Sequence, residues 1–331
     1  MKLNKKQVLV TGATGFIGSH LVQRLIADGA KVVAMSHYRG DPTLHNLEFL
    51  SPDERAAITV KRGNIEDRSF VMSCVEGCDV VFHLAALISI PYSYVAPGSY
   101  VATNIGGTLN VLEASRACRT PRVVHTSTSE CYGTAQFTPM HERHPLQGQS
   151  PYSASKIGAD KLVESYWCSF ELPVVTIRPF NTFGPRQSAR AVISTIINQL
   201  VTAPQSPLRL GSTTPVRDLT FVTDTVAGFI AGATAEDALG EVINLGRGDG
   251  ITIGELAQKI MRATGVETRI ETEAQRVRPE KSEVRELISD NTKARQLLGW
   301  QPTVSLDEGL RQTIAFVRQH PHLFRAAEYG V

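Results

Sequence analysis

The first half of the chain alternates between short apolar runs and longer segments in which apolar residues recur every three or four positions. Runs rich in Val and Ile predict strands that are buried on both faces, and the periodic segments predict amphipathic helices. The predicted strands are 7–12, 31–36, 57–63, 78–86, 122–128 and 173–179, and the predicted helices are 16–29, 98–116 and 152–170. This alternation predicts the α/β class, with a Rossmann-type doubly wound parallel sheet covered by helices on both faces.

The pattern beyond Pro179 is less regular. It predicts helices at 190–201, 252–264 and 289–300, and a strand at 241–246. The last of these helices has Asp and Asn residues near its start as candidate caps. We therefore expect a dinucleotide-binding domain over 1–180, with 218–247 returning to it, and a smaller C-terminal substrate-binding lobe over 181–331.

The composition narrows the classes of protein. With 42% hydrophobic and 20% charged residues, the 331-residue chain has the make-up of an ordinary soluble globular protein. A formal net charge of +2 gives no reason to expect nucleic acid or an anionic membrane as a partner. The basic N-terminus has an apolar run too short for a signal peptide, and no other stretch reaches membrane-spanning length, so we expect a cytoplasmic protein.

The cysteines give no sign of a disulfide framework or a metal centre. They form no CxxC pair and fall inside predicted helices or strands, at Cys74, Cys78, Cys118, Cys131 and Cys168. This placement favours buried, reduced thiols. No metal ion is expected.

The segment TGATGFIG joins the first predicted strand to the first predicted helix. Gly12, Gly15 and Gly18 permit a tight turn and let backbone N–H groups approach a pyrophosphate at the helix N-terminus. Glycine triplets also serve ordinary turns, but this one opens a βαβ unit, which favours dinucleotide binding. We expect cofactor contacts from Gly12, Gly15, Phe16, Ile17, Gly18, Arg39, Asn64, Ile65, Leu84, Ala85, Ala86, Asn104, Tyr152 and Lys156. His83 is expected to be a packed, hydrogen-bonded imidazole.

The cofactor is expected to be NAD, and the sequence leaves NADP open. NAD-binding proteins usually carry an acidic residue at the end of the second strand, where it holds the ribose hydroxyls. Here that region reads Ser36-His37-Tyr38-Arg39, and the first carboxylate is Asp41. Arg39 either binds a 2′-phosphate or is a solvated loop residue.

Tyr152 and Lys156 are four residues apart on a predicted helix, so their side chains lie on the same face. A tyrosine with a reference pKa of about 10 is a poor base at neutral pH, but a nearby ammonium favours the phenolate and lowers that pKa. The pair can then take a proton from a sugar hydroxyl while a hydride leaves the same carbon. This spacing also occurs on many helix surfaces, so the argument depends on its combination with the glycine loop and with Thr128.

With TGxxGxxG at Gly12–Gly18, Thr128, and YSASK at Tyr152–Lys156, the chain resembles the extended short-chain dehydrogenase/reductase family nearly from end to end. The resemblance implies a nucleotide-sugar substrate. It also implies that Tyr152 is the base at the C4 hydroxyl, Lys156 its electrostatic partner and Thr128 a hydrogen-bond donor to the C4 oxygen. Epimerases, dehydratases, decarboxylases and reductases share these motifs, so they do not choose the reaction.

Glu130, two residues beyond Thr128, favours one of these reactions. A 4,6-dehydratase needs a carboxylate to remove the C5 hydrogen once C4 is a ketone, whereas a 4-epimerase does not. In the TSTSE segment the chain is similar to GDP-mannose 4,6-dehydratases, where Thr, Ser and Glu occupy the places of Thr128, Ser129 and Glu130. The dTDP-glucose dehydratases have Asp where this chain has Ser129, which leaves the acid for the C6 hydroxyl open.

Three further segments, 85–94, 178–194 and 277–300, resemble the N-acetylglucosamine-nucleotide 4,6-dehydratases of the legionaminic acid pathway. The resemblance implies UDP- or GDP-N-acetylglucosamine as substrate. One departure is Cys131, where an aliphatic residue is usual, and we expect it to be a packing residue.

A nucleotide-sugar diphosphate needs cations and hydrogen-bond donors around it. The candidates are Arg186, Arg217, Arg278 and Asn181, because a guanidinium can bind phosphate oxygens in a bidentate fashion. Each arginine taken alone would by default be a solvated surface residue. Together they fit a nucleotide sugar better than a small alcohol.

Other functions stay open. The nearest rival is a UDP-glucuronate decarboxylase, followed by a nucleotide-sugar 4-epimerase, and a redox-sensing protein without catalysis is the rival from another class. We also expect a homodimer, as in related enzymes, formed by helices 98–116 and 151–170. The second of these carries Leu162, Tyr166 and Trp167 beyond the catalytic turn.

Overall fold

The computed structural model of the protein describes residues 1–277 and 279–324. The strands are β1 (Gln7–Thr11), β2 (Lys31–His37), β3 (Ile58–Gly63), β4 (Val80–His83), β5 (Arg122–Thr126), β6 (Val174–Pro179), β7 (Asn181–Phe183), β8 (Leu208–Leu210), β9 (Val216–Arg217), β10 (Leu219–Phe221), β11 (Val242–Leu245), β12 (Ile251–Thr252), β13 (Ile270–Thr272) and β14 (Glu286–Leu287). The helices are α1 (Phe16–Ala27), α2 (Pro52–Ala56), α3 (Arg68–Val75), α4 (Ile90–Val95), α5 (Pro97–Tyr100), α6 (Gly107–Ala117), α7 (Pro151–Phe170), α8 (Val192–Thr202), α9 (Val222–Thr234), α10 (Ile253–Thr264), α11 (Thr292–Leu298) and α12 (Leu306–Gln319).

A seven-stranded parallel sheet organises the first part of the chain. Its strand order is β11-β6-β5-β4-β1-β2-β3. The chain therefore winds outward in one direction from β1 and then returns to wind in the other, as in a doubly wound Rossmann sheet. This confirms the fold class that the apolar pattern predicts. Ligands of such sheets bind where the order reverses, at the carboxyl ends of β1 and β4.

Successive residues of the central strands enter two different cores, because side chains alternate across a sheet. Val8 and Val10 of β1 pack on the face covered by α1 and α9, whereas Leu9 packs on the face covered by α3, α6 and α7. Each fully buried Val or Leu contributes roughly 1.5–3 kcal/mol relative to an exposed one. Burial on both faces explains why these strands read as continuous apolar runs.

Particular residues mark the end of α1 and the start of α7. Gly29 follows α1 with a φ of 78°, a conformation that glycine adopts without strain. Ser150 caps α7, since its hydroxyl accepts from the N–H of Ser153, whose own hydroxyl accepts from the N–H of Ser150. The predicted helix 98–116 is interrupted, because residues 101–106 form a π-helical turn between α5 and α6.

The rest of the chain forms a mixed lobe beside the carboxyl edge of the sheet. Three small sheets, β7 with β10, β12-β9-β14, and β8 with β13, are packed with α8, α10 and α12. The predicted strand 241–246 is β11, which pairs with β6 at the edge of the large sheet, and α9 covers that sheet. The division of the chain at residue 180 stays a prediction.

Within residues 1–277 and 279–324, no helix combines the length and apolar character that crossing a membrane requires.

Candidate active site

The glycine loop between β1 and α1 is shaped for a close ligand. A Cβ atom on Gly18 would lie 2.2 Å from the Gly12 carbonyl oxygen, and one on Gly12 would lie 2.9 Å from the backbone nitrogen of Ala85. Gly12 also has a φ of 68°. The loop, the N-terminus of α1 and the segment after β4 therefore approach each other more closely than side chains would allow. This arrangement fits a pyrophosphate held by backbone N–H groups.

A buried polar chain holds the segment after β4 against the loop. The Thr11 hydroxyl accepts from the N–H groups of Leu84 and Ala85, each at 3.1 Å. The same hydroxyl lies 2.9 Å from Nδ1 of His83, whose Nε2 lies 3.0 Å from the Thr108 hydroxyl. Burial lowers the pKa of His83, so the ring is neutral. The packed, hydrogen-bonded imidazole predicted for His83 is confirmed.

Asn104 braces the predicted cofactor site. Its Oδ1 accepts from the N–H of Leu87 at 2.8 Å, and its Nδ2 donates to the Leu87 carbonyl and to the Ser155 hydroxyl. The side chain is 1% exposed. Asn104 therefore ties the segment after β4 to α7 through the protein's own groups.

The other predicted cofactor residues differ in exposure. Ile65 is buried and fills the space beside Gly107, whereas Asn64 is half-buried and its Oδ1 accepts from the N–H of Glu66 at 3.2 Å. Arg39 is exposed two residues beyond the end of β2.

Thr128, Tyr152 and Lys156 come together at the carboxyl end of β5. The Thr128 hydroxyl hydrogen-bonds to the Tyr152 phenol, and Nζ of Lys156 donates to the Thr126 carbonyl at 2.6 Å. Tyr152 and Lys156 are 7% and 4% exposed. α7 thus presents both side chains to the end of β5, as the four-residue spacing predicts.

The expected lowering of the Tyr152 pKa is wrong for this structure. Burial raises the pKa of Tyr152, and the charge of Glu130 also raises it, while the hydrogen bond from Thr128 lowers it. Burial also lowers the pKa of Lys156, which weakens the ammonium as a source of stabilisation. Proximity of a lysine therefore does not by itself make this phenol acidic, because both groups are removed from water.

Glu130 lies in a short 3₁₀ turn, 129–132, that follows Thr128. Its backbone N–H donates to the Thr128 hydroxyl at 3.3 Å, and the side chain is partly exposed. Within the described part of the chain, no hydrogen bond or ion pair engages its carboxylate. Ser129, by contrast, is 2% exposed. The turn therefore places one unengaged carboxylate beside Tyr152.

A buried polar network behind these residues was not predicted from the sequence. Asp160 accepts hydrogen bonds from Ser127 at 2.6 Å and Arg178 at 2.7 Å, and its Oδ1 lies 3.0 Å from Nε2 of His125. Arg178 also donates to the Tyr132 hydroxyl at 2.8 Å. A signal was present, since Asp160 lies one helical turn after Lys156 and Arg178 lies in an otherwise apolar strand.

Two of the predicted phosphate-binding arginines have partners within the protein. Arg186 donates to Gln23 of α1 at 2.8 Å, and its guanidinium lies 5.6 Å from the centre of the Phe49 ring. Arg217 is ion-paired with Glu283 at 3.2 Å. Arg186 has a φ of 67°, a left-handed conformation that is uncommon for a residue other than glycine.

Asn181 and Arg278 are the other two predicted diphosphate contacts. Asn181 lies in β7, and its Oδ1 is a buried acceptor without a partner among the described residues. Arg278 lies outside the described residues. Asn181 is the first residue of β7 and Arg217 is the last residue of β9, so both lie in short strands and stay candidates.

The cysteines are free thiols, but only Cys74, Cys78 and Cys131 are buried, and Cys168 is exposed. The expectation of burial is wrong for Cys168, because the final turn of α7 extends beyond the core. Burial raises the pKa of Cys131 to about 12, which agrees with a packing role. Among the described residues, no group of three or more His, Cys, Asp or Glu side chains is arranged to hold a metal ion.

A cavity of about 550 Å³ lies in the C-terminal lobe, away from Tyr152 and Glu130. Arg217, Arg247 and Lys259 line it, together with acidic residues. Arg247 is paired with Asp249 and Lys259 with Asp307, so most of this charge is already balanced.

The geometry of a glycine loop, a Tyr–Lys pair and a threonine at the end of β5 agrees with the sequence relationships. A family model described as GDP-mannose 4,6 dehydratase matches residues 9–313. The chain belongs to this family. Its relatives are nucleotide-sugar 4,6-dehydratases and 4-epimerases, which confirms the coarse resemblance seen in the motifs.

Curated relatives of the family carry both activities in their names. A UDP-glucose 4-epimerase of Mycolicibacterium smegmatis is 34% identical over 319 residues, which is 94% of this chain and 98% of that protein. A dTDP-glucose 4,6-dehydratase of Actinoplanes sp. is 33% identical over 321 residues, 94% of this chain and 98% of that protein. Sequence identity therefore establishes the family but does not distinguish between the two reactions.

Solved structures of the family superpose closely on this chain. The UDP-glucuronic acid 4-epimerase of Bacillus cereus, solved with NAD, has a TM-score of 0.86 at 30% identity and covers 95% of this chain and 99% of its own. The dTDP-glucose 4,6-dehydratase of Streptomyces venezuelae, also solved with NAD, has a TM-score of 0.85 at 27% identity, covering 96% and 99%. NAD in these structures agrees with the predicted cofactor.

Proposed function

We propose that the protein is an NAD-dependent nucleotide-sugar 4,6-dehydratase that converts UDP- or GDP-N-acetylglucosamine to its 4-keto-6-deoxy product. The observation that carries this proposal is Glu130, a carboxylate without a partner among the described residues, two residues beyond Thr128 and close enough to Tyr152 to raise its pKa. The side chain of Glu130 is partly exposed, so its carboxylate is open to a bound substrate.

The glycine loop, the N-terminus of α1 and the segment after β4 would hold the cofactor, because their close approach fits a pyrophosphate. When bound, NAD supplies the acceptor and later the donor of the hydride exchanged with the sugar. Arg39 is the residue that would meet a 2′-phosphate, so comparing affinities for NAD and NADP tests the choice of cofactor.

The chain's own groups then account for the proton transfers. Tyr152 takes the proton of the C4 hydroxyl, Thr128 donates a hydrogen bond to the C4 oxygen, and the Lys156 ammonium opposes the cost of charging the phenol. Once C4 is a ketone, the carboxylate of Glu130 removes the C5 proton, and the carboxylic acid so formed protonates the C6 hydroxyl, which leaves as water. The hydride returns to C6, and a proton from solvent restores C5.

The N-acetyl group of the substrate rests on the resemblance of segments 85–94, 178–194 and 277–300 to N-acetylglucosamine-nucleotide dehydratases of the legionaminic acid pathway. Asn181, Arg186 and Arg217 are the proposed diphosphate contacts within the described residues, and Arg278 is the fourth.

A 4-epimerase is the second candidate, because a UDP-glucose 4-epimerase and a dehydratase are related to this chain at nearly the same identity. An epimerase would oxidise C4 and return the hydride to the same carbon, so it would leave the C5 hydrogen in place. A UDP-glucuronate decarboxylase would instead release carbon dioxide.

Product analysis tests the proposal. Purified protein is incubated with UDP-N-acetylglucosamine, GDP-N-acetylglucosamine, dTDP-glucose, UDP-glucose and UDP-glucuronate in separate reactions, and the products are identified by mass and by NMR. We expect loss of water from an N-acetylglucosamine nucleotide. A product of unchanged mass and inverted C4 would make the protein an epimerase, and a pentose from UDP-glucuronate would make it a decarboxylase.

We also propose a homodimer through helices 98–116 and 151–170, although Tyr166 and Trp167 pack within their own chain. Tyr166 is 7% exposed and donates to Glu113, and Trp167 fills the space beside Gly240 of the same chain. The apolar side chains that do reach the surface of these helices are Val101, Leu109 and Phe170.

The dimer is tested by light scattering at micromolar concentration. We expect twice the monomer mass of 36.1 kDa. We also expect Leu109→Glu to shift the population toward monomer, because it places a charge among apolar residues. A monomeric wild type would contradict the proposal.

A further inference from the structure

The buried network behind the active site contacts the segment at the end of β5 that carries Thr128. Three consecutive residues, Thr126, Ser127 and Thr128, contact three different residues of α7. The Thr126 carbonyl accepts from Lys156 at 2.6 Å, the Ser127 hydroxyl donates to Asp160 at 2.6 Å, and the Thr128 hydroxyl bonds to Tyr152. Ser127 is the middle of this set, so its anchoring fixes both neighbours.

We propose that Asp160 is a positioning residue whose carboxylate, through Ser127, holds the end of β5 in register with Tyr152 and Lys156. This inference rests on the proposed oxidation at C4, in which those two residues act. Asp160 itself does not reach the reacting atoms, because it is buried at the back of α7, one turn beyond Lys156.

Three residues hold the carboxylate of Asp160 in place. Its Oδ2 accepts from both Ser127 and Arg178, and its Oδ1 is bonded to Nε2 of His125. Nε of Arg178 also donates to the Ser127 hydroxyl, at 3.2 Å. A planar guanidinium and a carboxylate joined in this way restrict the rotation of each other and of Ser127.

The network is anchored beyond the site as well. Arg178 donates to the Tyr132 hydroxyl at 2.8 Å, and Tyr132 donates to Oδ1 of Asn244 in β11 at the same distance. The guanidinium lies 4.7 Å from the centre of the Tyr132 ring. Because Tyr132 closes the turn that contains Glu130, the same network also fixes the proposed C5 base.

Asp160 also supplies the opposite charge for Lys156. The titratable groups that face the ammonium are Asp160 of the same helix, Cys131 of the 3₁₀ turn, His125 of β5 and His83 of β4. Burial raises the pKa of Cys131 and lowers the pKa of both histidines, so these groups are neutral. Burial alone would raise the pKa of Asp160, but Arg178 and His125 outweigh it and lower that pKa, so Asp160 is ionised.

The first test removes only the Ser127 hydroxyl. Ser127→Ala keeps Asp160 bonded to Arg178 and His125, so the fold is retained. We expect kcat to fall about tenfold to a hundredfold, the scale of a misplacement of about 1 Å, with little change in KM. Amide hydrogen exchange over residues 126–130 should become faster without any ligand. Thr313→Val, which removes a buried hydroxyl on α12 bonded to Gly309, should change neither measurement.

The second test is the pH profile of Asp160→Asn. Without the carboxylate the pKa of Lys156 is lower, so the ammonium is lost at lower pH and the alkaline limb of kcat should move down by about one unit or more. A purely structural residue would lower activity equally across this range. If Asp160→Asn does not fold, Ser127→Ala still decides the inference.

The outcomes separate this inference from the proposed function. Unchanged kcat, pH profile and hydrogen exchange in Ser127→Ala would overturn the positioning role. The probe for kcat is UDP-N-acetylglucosamine, with the other nucleotide sugars as alternatives. If the wild type reduces its NAD with none of them, the proposed function fails, and the exchange of residues 126–130 still tests whether Ser127 holds the strand end.

Discussion

At the scale of single residues, burial disfavours the charged forms of Tyr152 and Lys156, which the proposed proton transfer needs. Burial raises the pKa of Tyr152 and lowers that of Lys156, so each group resists the charge that proton transfer requires. The hydrogen bond from Thr128 and the ionised Asp160 act in the opposite direction. The proposed proton transfer therefore depends on a substrate hydroxyl arriving at a phenol that is held in place and kept from water.

Tyr152→Phe tests the role of the phenol and has a matched control on the same helix. Removal of the hydroxyl should slow the reduction of NAD on mixing with substrate by about 10²–10⁴-fold, the usual contribution of a general base. Tyr166 is equally buried at 7% and is bonded to Glu113, so Tyr166→Phe should react like the wild type. Equal rates for the two variants would remove Tyr152 from the proton transfer. Absorbance at the wavelength of the reduced nicotinamide follows the reaction.

The sequence predicted some of these residues better than others, for a physical reason. Gly12, Gly18 and the Tyr152–Lys156 pair follow from local spacing, because a turn and one helix bring them together. Asp160 and Arg178 meet only because α7 crosses β6, and a long-range contact leaves no local pattern.

At the scale of elements, the glycine loop couples α1 to the sheet. The central strands of the first half were predictable because they are buried on both faces and read as apolar runs, whereas the edge strand β3 is only partly buried. The short strands of the C-terminal lobe, such as β9 and β14 with two residues each, have no such run. The π-helical turn at 101–106 was also hidden, because its residues continue the periodicity of a helix.

Gly18→Ala tests the coupling of α1 to the loop. A Cβ would lie 2.2 Å from the Gly12 carbonyl oxygen, so α1 must move away from the loop. We expect at least tenfold weaker NAD binding and a loss of about 1–3 kcal/mol in unfolding free energy, as for overpacking. Calorimetric titration and denaturant unfolding measure the two effects.

The control for this variant is Gly254→Ala in α10. Its Cβ would have its nearest contact at 3.5 Å, an ordinary distance. Alanine also favours a helix over glycine by up to about 1 kcal/mol, so stability should stay the same or rise. NAD binding by Gly18→Ala at the strength of this control would show that the close approach is not needed.

At the scale of the whole molecule, buried neutral histidines make stability depend on pH. Burial and the nearby Arg186 lower the pKa of His20 from 6.5 to about 4, and burial lowers the pKa of His83 and His125 as well. The unfolded chain binds these protons near pH 6.5 and the folded chain only at lower pH. Acidification through this interval therefore favours the unfolded state.

His20→Gln isolates one of these contributions. His20 alone should cost the wild type about 2 kcal/mol of unfolding free energy between pH 8 and pH 5. Burial raises the pKa of Asp218 to about 6, which acts in the opposite direction, but it is common to both proteins. Denaturant unfolding at each pH gives the difference, and parallel curves for wild type and variant would show that His20 does not titrate as described.

The account depends most on Glu130 as the base at C5, and Glu130→Gln with substrate in heavy water tests it directly. Gln keeps the size of the side chain and removes the proton acceptor. The variant should still reduce its NAD on mixing with UDP- or GDP-N-acetylglucosamine, since that step uses Tyr152 and Lys156. Loss of water should slow by about 10²–10⁴-fold. Glu164→Gln, at an exposed site on α7, serves as the control.

Rapid mixing followed by mass analysis gives both results from one sample. For the wild type, the account predicts a product that has lost water and carries deuterium at C5. For Glu130→Gln, it predicts reduced NAD that persists while the sugar keeps its C6 hydroxyl. Loss of water by Glu130→Gln at the wild-type rate, or a wild-type product without deuterium at C5, would contradict the dehydratase account.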